Sequence, residues 1–149
     1  MANIFNVAEY ILNKMGTISA MKLQKLCYYS QAWALVWDEH PLFDDCFEAW
    51  VNGPVSPALY EWHKGMFLVN LNDDLLKHTD KKSPLTDVQK ETIDSVLDTY
   101  GKFTAQELSD LTHKEDPWKK TNEQYPASYH YNAVITHAMM HEYYSSIPA

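Results

Sequence analysis

Residues 47–65 read FEAWVNGPVSPALYEWHKG, and this stretch predicts a strand, a turn and a helix in succession. Gly53 and Pro54 end the strand with a sharp turn. Ser56 followed by Pro57 is typical of a helix start, because serine caps the first turn and proline has no N–H to leave unpaired. Junctions of this kind hold phosphate loops and nucleophile elbows in other proteins. This junction therefore either carries chemistry or shapes a surface.

A phosphate site at the junction is not expected. Phosphate loops need several glycines followed by Lys and Ser or Thr, whose backbone N–H groups and side chains cradle the anion. Here Pro54 and Pro57 remove two of the N–H donors. The surrounding charge is also negative, because residues 26–63 contain six carboxylates and no Lys. We therefore expect the junction to shape a surface.

Caps and apolar periodicity predict helices along most of the chain. In chain order they cover about 3–16, 19–38, 56–65, 86–101 and a stretch from Thr104, then a short turn at Asp116-Pro117-Trp118 and a last helix from about Asn132 to Ser145. On the last helix, the expected inward residues are Ile135, Ala138, Met139 and Tyr143. Residues 66–83 are polar and turn-rich and predict a surface loop with at most one short helical turn.

A small hairpin is expected between the second and third helices. Leu42-Phe43 and Phe47 to Val51 read as two short extended pieces around a turn at Asp44-Asp45. A length of 149 residues suits one domain of the usual roughly 100–200 residues. The predicted fold is mainly α, a single compact domain over residues 1–149 with about five to seven helices and a small β-hairpin insertion.

Charge and composition exclude several classes of function. The net charge is −8, and all twelve basic residues are Lys, so the chain lacks the arginine fork that reads bases and holds phosphate, and no direct nucleic-acid binding is expected. No apolar run approaches the roughly 20 residues that span a bilayer, so no membrane partner is expected either. Cys27 and Cys46 fit no disulfide framework or zinc spacing, and the N-terminus has no secretory pattern. We expect a cytoplasmic protein with reduced thiols.

No catalytic, cofactor or metal site is expected from the sequence. His137 and His141 stand four residues apart, which is a metal-ligand spacing on a helix. The metalloprotease pattern needs Glu directly after the first His, where this chain has Ala138, and no third ligand is evident. A hydrolase that uses these two histidines with Glu142 remains the enzymatic alternative.

Aromatic residues near the acidic segment are the candidates for binding a partner. Trp33, Trp37 and Trp50 have amphipathic spacing and are expected mostly in the core. Tyr60 and Trp62 alternate with charged neighbours on a short helix, so at least one of them is expected on the surface. The candidate partner-binding residues are Asp44, Asp45, Glu48, Trp50, Pro54, Tyr60 and Trp62.

Four blocks of the sequence, taken in order and spacing, resemble one known family. They are MKLQKLCYYSQAWAL (21–35), PLF (41–43), EAWVNGPVSPALYE (48–61) and ELSDLTHKEDPW (107–118). Together they resemble the Panacea domain, also known as the SocA-like or phage-associated GepA-like domain. The resemblance covers nearly the whole chain, and no single block would suffice.

The resemblance implies a binding protein without catalytic residues. Members of this family are antitoxins that neutralise many unrelated toxins, mostly by direct protein contact, and one member delivers its toxin to the ClpXP protease. We therefore expect an antitoxin whose partner is a cognate toxin encoded beside it. The alternative is a protease adaptor, or a phage protein that engages a host protein such as a ClpXP-type protease.

Overall fold

The computed structural model of the protein describes residues 1–129 and 132–148. Over these residues the fold is mainly helical with small antiparallel sheets, which confirms the predicted class. The eight α-helices of the described residues are α1 Ile4–Met15, α2 Ala20–Trp37, α3 Pro57–His63, α4 Asp73–Leu76, α5 Asp87–Tyr100, α6 Ala105–Lys114, α7 Asp116–Gln124 and α8 His137–Ser145. The strands are β1 Ile18–Ser19, β2 Phe47–Trp50, β3 Gly53–Val55, β4 Leu68–Val69 and β5 Val134–Ile135.

Helix α2 is the centre of the fold and packs against α1, α5, α6 and α8. Fourteen of its eighteen residues are buried, so the helix has no solvent-facing side along most of its length. The buried set includes Gln24, Lys25 and Gln31, which are polar. Polar side chains in such a position must find hydrogen-bond partners, and all three find them on the backbone of residues 42–56.

The hairpin differs from the prediction. Strands β2 and β3 pair through a turn at Val51-Asn52, and β5 pairs with the other side of β2. The predicted turn at Asp44-Asp45 is wrong, because the backbone of Leu42 and Phe43 does not pair with a strand. The Leu42 N–H donates to Gln31 Oε1 at 2.7 Å, and Gln31 Nε2 donates to the Phe43 carbonyl at 2.8 Å. The amide side chain thus takes the place of a neighbouring strand.

The last helix also differs from the prediction. It begins at His137 with Thr136 as its cap, because Val134–Ile135 form β5 against β2. Its buried residues are Met140 and Tyr144. Of the residues predicted to face inward, Ile135 is buried in the strand, Met139 and Tyr143 are half-buried and Ala138 is exposed.

Three further predictions need correction. Trp37 was expected in the core but is 48% exposed at the end of α2. The predicted turn at Asp116 is the nine-residue helix α7, and its cap position is Glu115. Residues 66–83 contain the short helix α4, as predicted, but also β4, which pairs with β1.

A buried carboxyl group connects three helices of the core. Glu115 Oε1 accepts hydrogen bonds from the hydroxyls of Tyr29 and Tyr144, both at 2.7 Å. Burial raises the pKa of Glu115 above its ordinary value, against the lowering effect of these two hydrogen bonds. Because Tyr29 lies on α2 and Tyr144 on α8, the network fixes the start of α7 against both helices.

Candidate protein-binding site

An open groove lies between the start of α2, the β2–β3 hairpin, α3 and the chain that follows α3. Its volume is about 520 Å³, which is enough for one large side chain and its neighbours. The side chains that give it its character are those of Met21, Trp50, Val51, Tyr60, Met66 and Phe67. The groove is therefore mainly apolar and aromatic.

Three of the apolar lining side chains, Val51, Met66 and Phe67, are exposed, and we refer to them as the groove rim. Phe67 is 80% exposed and Val51 is 61% exposed. Leu68, next in the chain, extends the exposed apolar surface. Scattered exposed apolar residues are ordinary, but a contiguous apolar patch beside a groove is typical of a surface that binds another protein.

The polar groups beneath the groove are already paired with one another. Gln24 Oε1 accepts from the Ser56 N–H at 2.9 Å, while Gln24 Nε2 donates to the Ser56 carbonyl at 3.1 Å. Gln24 Nε2 also lies 3.0 Å from His63 Nε2. Burial lowers the pKa of His63 below its ordinary value. His63 is therefore neutral at neutral pH, and the floor of the groove carries no imidazolium charge.

The hairpin wall of the groove is held by side chains from α6 and α7 that reach the backbone of its turn. Trp118 Nε1 donates to the Trp50 carbonyl at 2.8 Å, and Ser109 Oγ donates to the Asn52 carbonyl at 2.7 Å. Between them, His113 Nε2 lies 2.7 Å from the Val51 carbonyl oxygen. These contacts join the two sequence blocks at 48–61 and 107–118, because the first supplies backbone carbonyls and the second supplies side chains that reach them.

Behind the same wall, the buried Lys25 donates from Nζ to the Pro54 carbonyl at 3.2 Å. Burial lowers the pKa of this amine to about 7. Gly53 has φ of +116°, and a Cβ at this position would lie 2.7 Å from Lys25 Cε. Glycine is therefore required for two reasons, the positive φ and the close approach of the lysine.

The residues predicted to bind a partner divide into two groups. Trp50 and Tyr60 form part of the groove wall, with ring centroids 4.9 Å apart. Glu48 lies beside them, because its Oε1 accepts from Trp50 Nε1 at 2.9 Å. These three side chains are therefore grouped on one surface.

The other predicted residues have structural contacts or lie elsewhere. Trp62 is buried, and its indole donates to Asp74 at 3.0 Å. Pro54 is buried behind the groove wall, where it accepts the bond from the buried lysine. Asp45 accepts from the Ile4 N–H at the start of α1, at 2.9 Å. Asp44 is exposed on the irregular segment before β2. Their role in binding a partner remains a prediction.

Sequence reasoning missed the groove rim. Residues 66–68 read MFL within a segment that was expected to be a polar surface loop. Three consecutive apolar residues in a surface segment are unusual unless they have a function. This run is the signal that could have located the rim before the structure was known.

The described residues contain no group of three or more His, Cys, Asp or Glu side chains that could hold a metal ion. His137 Nε2 lies 3.3 Å from Gln31 Nε2, and His141 is exposed on α8. The hydrolase alternative therefore gains no support from their positions. In the part of the chain that the structure covers, no helix has the length and apolar character needed to cross a membrane.

Comparison with known proteins places the chain in a family. Residues 23–119 match the family model described as antitoxin SocA-like, Panacea domain. The chain therefore belongs to the SocA-like Panacea family, as the resemblance indicated. It is similar to the antitoxin SocA of Caulobacter vibrioides (strain NA1000 / CB15N), with 32% identity over 124 residues that cover 75% of this chain and 66% of that protein. No solved structure matches the chain significantly.

Proposed function

We propose that this protein is an antitoxin that neutralises a cognate toxin by binding it directly, without catalysis. Membership of the SocA-like family supports an antitoxin role. The observation that carries the binding mechanism is the open apolar groove with its exposed rim. A surface of this kind loses unfavourable contact with water when a partner covers it.

The polar groups around the groove favour binding over catalysis. Among the described residues, every buried side-chain nitrogen and oxygen has a hydrogen-bond partner. An enzyme site usually presents polar groups that remain available to its substrate. Here Gln24 is bonded to the backbone of Ser56 and to the His63 ring, so the floor of the groove offers mainly shape and apolar area.

The test is growth rescue with the product of the adjacent reading frame. That frame is expressed from an inducible promoter until growth stops, and this protein is then co-expressed from a second promoter. We expect growth to recover equally in a parent host and in a host that lacks the ClpXP protease. Rescue only in the parent host would indicate delivery of the toxin to the protease, and absence of rescue in both would contradict the antitoxin role.

Direct contact is tested with the purified components. We expect the two proteins to co-elute in size-exclusion chromatography and the toxin's activity to fall in proportion to the bound fraction. A toxin that stays fully active in the complex would contradict neutralisation by binding.

A further inference from the structure

The chemistry of the groove specifies the kind of partner segment that fits it. Most of the lining side chains are apolar or aromatic, the polar Asn52 and Asn132 are exposed, and burial lowers the pKa of His63 in the floor. An ionised group placed on the floor would lose its hydration without gaining a partner. The floor therefore suits an apolar side chain.

The edges of the groove carry negative charge. Glu48 is fixed beside Trp50 by the hydrogen bond from the indole, and Glu61 is exposed next to Tyr60 on α3. The other carboxylates of residues 26–63 do not add to this edge as a group, since Asp45 accepts from the Ile4 N–H at the start of α1 and Asp38 accepts from Thr92 on α5. The charge beside the groove is that of Glu48 and Glu61. A cation near this edge would meet a carboxylate and the faces of two aromatic rings, which both attract it.

We propose that the groove is the toxin-docking surface and that its occupant is a basic segment of the toxin. This segment inserts an apolar side chain into the groove beside Trp50, Tyr60 and Phe67. It places a Lys or Arg beside Glu48 and Glu61. The inference rests on the proposed antitoxin function and adds the chemistry of the partner. The apolar anchor supplies most of the residence time, and the charge speeds encounter and fixes orientation.

A second copy of this chain is a poorer occupant of the same groove. Symmetric dimers usually bring the same patch of both subunits together. Two copies would place their Glu48 and Glu61 edges against each other, and juxtaposed like charges oppose association. A basic partner avoids this repulsion and neutralises the carboxylates.

The apolar half of the proposal is tested with neutral substitutions. The double variant Val51→Ser/Phe67→Ser removes the exposed apolar rim, and Val88→Ser is its control because Val88 is a similarly exposed valine, at 58%, on α5. Binding of the purified product of the adjacent reading frame is followed by surface plasmon resonance. We expect the double variant to dissociate at least about 30-fold faster, as for the loss of one hot-spot contact, and the control to stay within about 2-fold.

The charged half is tested by reversing one carboxylate. Glu61→Lys on α3 is compared with Glu91→Lys, an exposed glutamate on α5. We expect Glu61→Lys to slow association roughly 5-fold or more at low salt and to weaken the dependence of association on salt, because steering depends on charge near the docking surface. Glu91→Lys on α5 should slow association by less than half as much as Glu61→Lys.

Circular dichroism and thermal unfolding establish that each variant is folded before its kinetics are interpreted. If the parent binds and the double serine variant binds equally well, the docking inference is wrong while the antitoxin function stands. If the parent does not bind the toxin, the proposed function fails and the docking inference fails with it. If the unbound parent is a dimer that the double serine variant converts to a monomer, the occupant is a second copy and the inference is overturned.

Discussion

Replacing Lys25 with methionine should stabilise the fold at neutral pH and remove a pH dependence that the parent protein shows. The Lys25 side chain is fully buried, and burial lowers the pKa of its amine to about 7 from an ordinary value of 10.5. In the described part of the chain it has no ion-pair partner, and its oxygen acceptor is the Pro54 carbonyl at 3.2 Å. The unfolded chain instead holds this amine hydrated and charged.

The direction of this pH dependence follows from the number of protons bound by the folded and the unfolded state. Between pH 7 and 10.5 the unfolded chain keeps the Lys25 proton while the folded protein releases it. Above pH 10.5 the amine is neutral in both states and its burial costs no deprotonation. As the pH falls toward 7, the unfolded chain gains the proton first, so the free energy of unfolding falls. The difference between the two pKa values corresponds to roughly 5 kcal/mol in the acidic limit and roughly 4 kcal/mol at pH 7.

Methionine is unbranched like lysine but one heavy atom shorter, so it fills most of the same space and removes this cost. It also leaves the Pro54 carbonyl without its donor, at a cost of about 1–3 kcal/mol. The net effect at pH 7 is a stabilisation of roughly 1–3 kcal/mol. From pH 7 to 9, the free energy of unfolding of the parent should rise by roughly 2 kcal/mol more than that of Lys25→Met.

The assay is urea unfolding, followed by tryptophan fluorescence, at pH 7, 8 and 9. Lys90→Met on α5 is the control, because Lys90 is exposed and its replacement should leave the parent's pH dependence unchanged. Burial raises the pKa of Cys27, which affects the parent and both variants alike. If the parent and Lys25→Met respond equally to pH, the amine is not buried in the neutral form and the reasoning is refuted.

Three further outcomes are expected. Gly53→Ala should lower the free energy of unfolding by about 2 kcal/mol or more, because Gly53 has a positive φ and the new Cβ would contact Lys25. Gly65→Ala is the control: Gly65 has φ of +84° and open space around it, so the change should cost about 1 kcal/mol. Equal effects of the two changes in thermal unfolding would contradict this prediction. Trp118→Phe should cost about 1–3 kcal/mol in urea unfolding, because the Trp50 carbonyl loses its donor, and an unchanged midpoint would count against that bond. The free protein should not shift random duplex DNA or RNA at micromolar concentration, given its net charge of −8 and lack of Arg; a salt-sensitive shift would disprove this.

The helices could be predicted because their signals are local. Thr86 and Thr104 each cap a helix, and the side chain three residues later accepts a hydrogen bond from the backbone N–H of the cap. Both partners of such a capping box lie within four residues of sequence. A single pass along the chain therefore finds these boundaries without knowledge of the fold.

Contacts that join distant segments could not be predicted in the same way. Gln24 binds the backbone of Ser56, 32 residues away, and β1 pairs with β4 across 49 to 51 residues. Nothing in residues 41–46 themselves indicates that the Gln31 side chain will form hydrogen bonds with the backbone of Leu42 and Phe43. The sequence signal that remains is indirect: polar residues that recur within a helix as apolar as α2 need partners in the core.

Only part of the candidate site could be predicted, because contacts with distant segments also decide which way its side chains face. Tyr60 stood out because Glu61 and His63 alternate with it and Trp62, whereas Trp50 was expected mostly in the core although it was among the candidate partner-binding residues; the structure places both Trp50 and Tyr60 in the groove wall. Trp62 alternates with charge in the same way, yet it is buried through its contact with Asp74 on α4. The short helix α3 turns one aromatic toward the groove and the other toward α4, and its sequence does not distinguish the two directions.

The way in which the groove wall is held has a consequence for specificity. The turn of the hairpin is fixed through its carbonyl oxygens, which accept from Trp118, Ser109 and the buried Lys25, with His113 beside them. A backbone carbonyl is available whatever side chain its residue carries. The exposed side chains of the groove rim can therefore change without loss of the contacts that position the wall. This separation would let a binding protein of this fold change partners, because each new partner demands different contact residues on an unchanged framework.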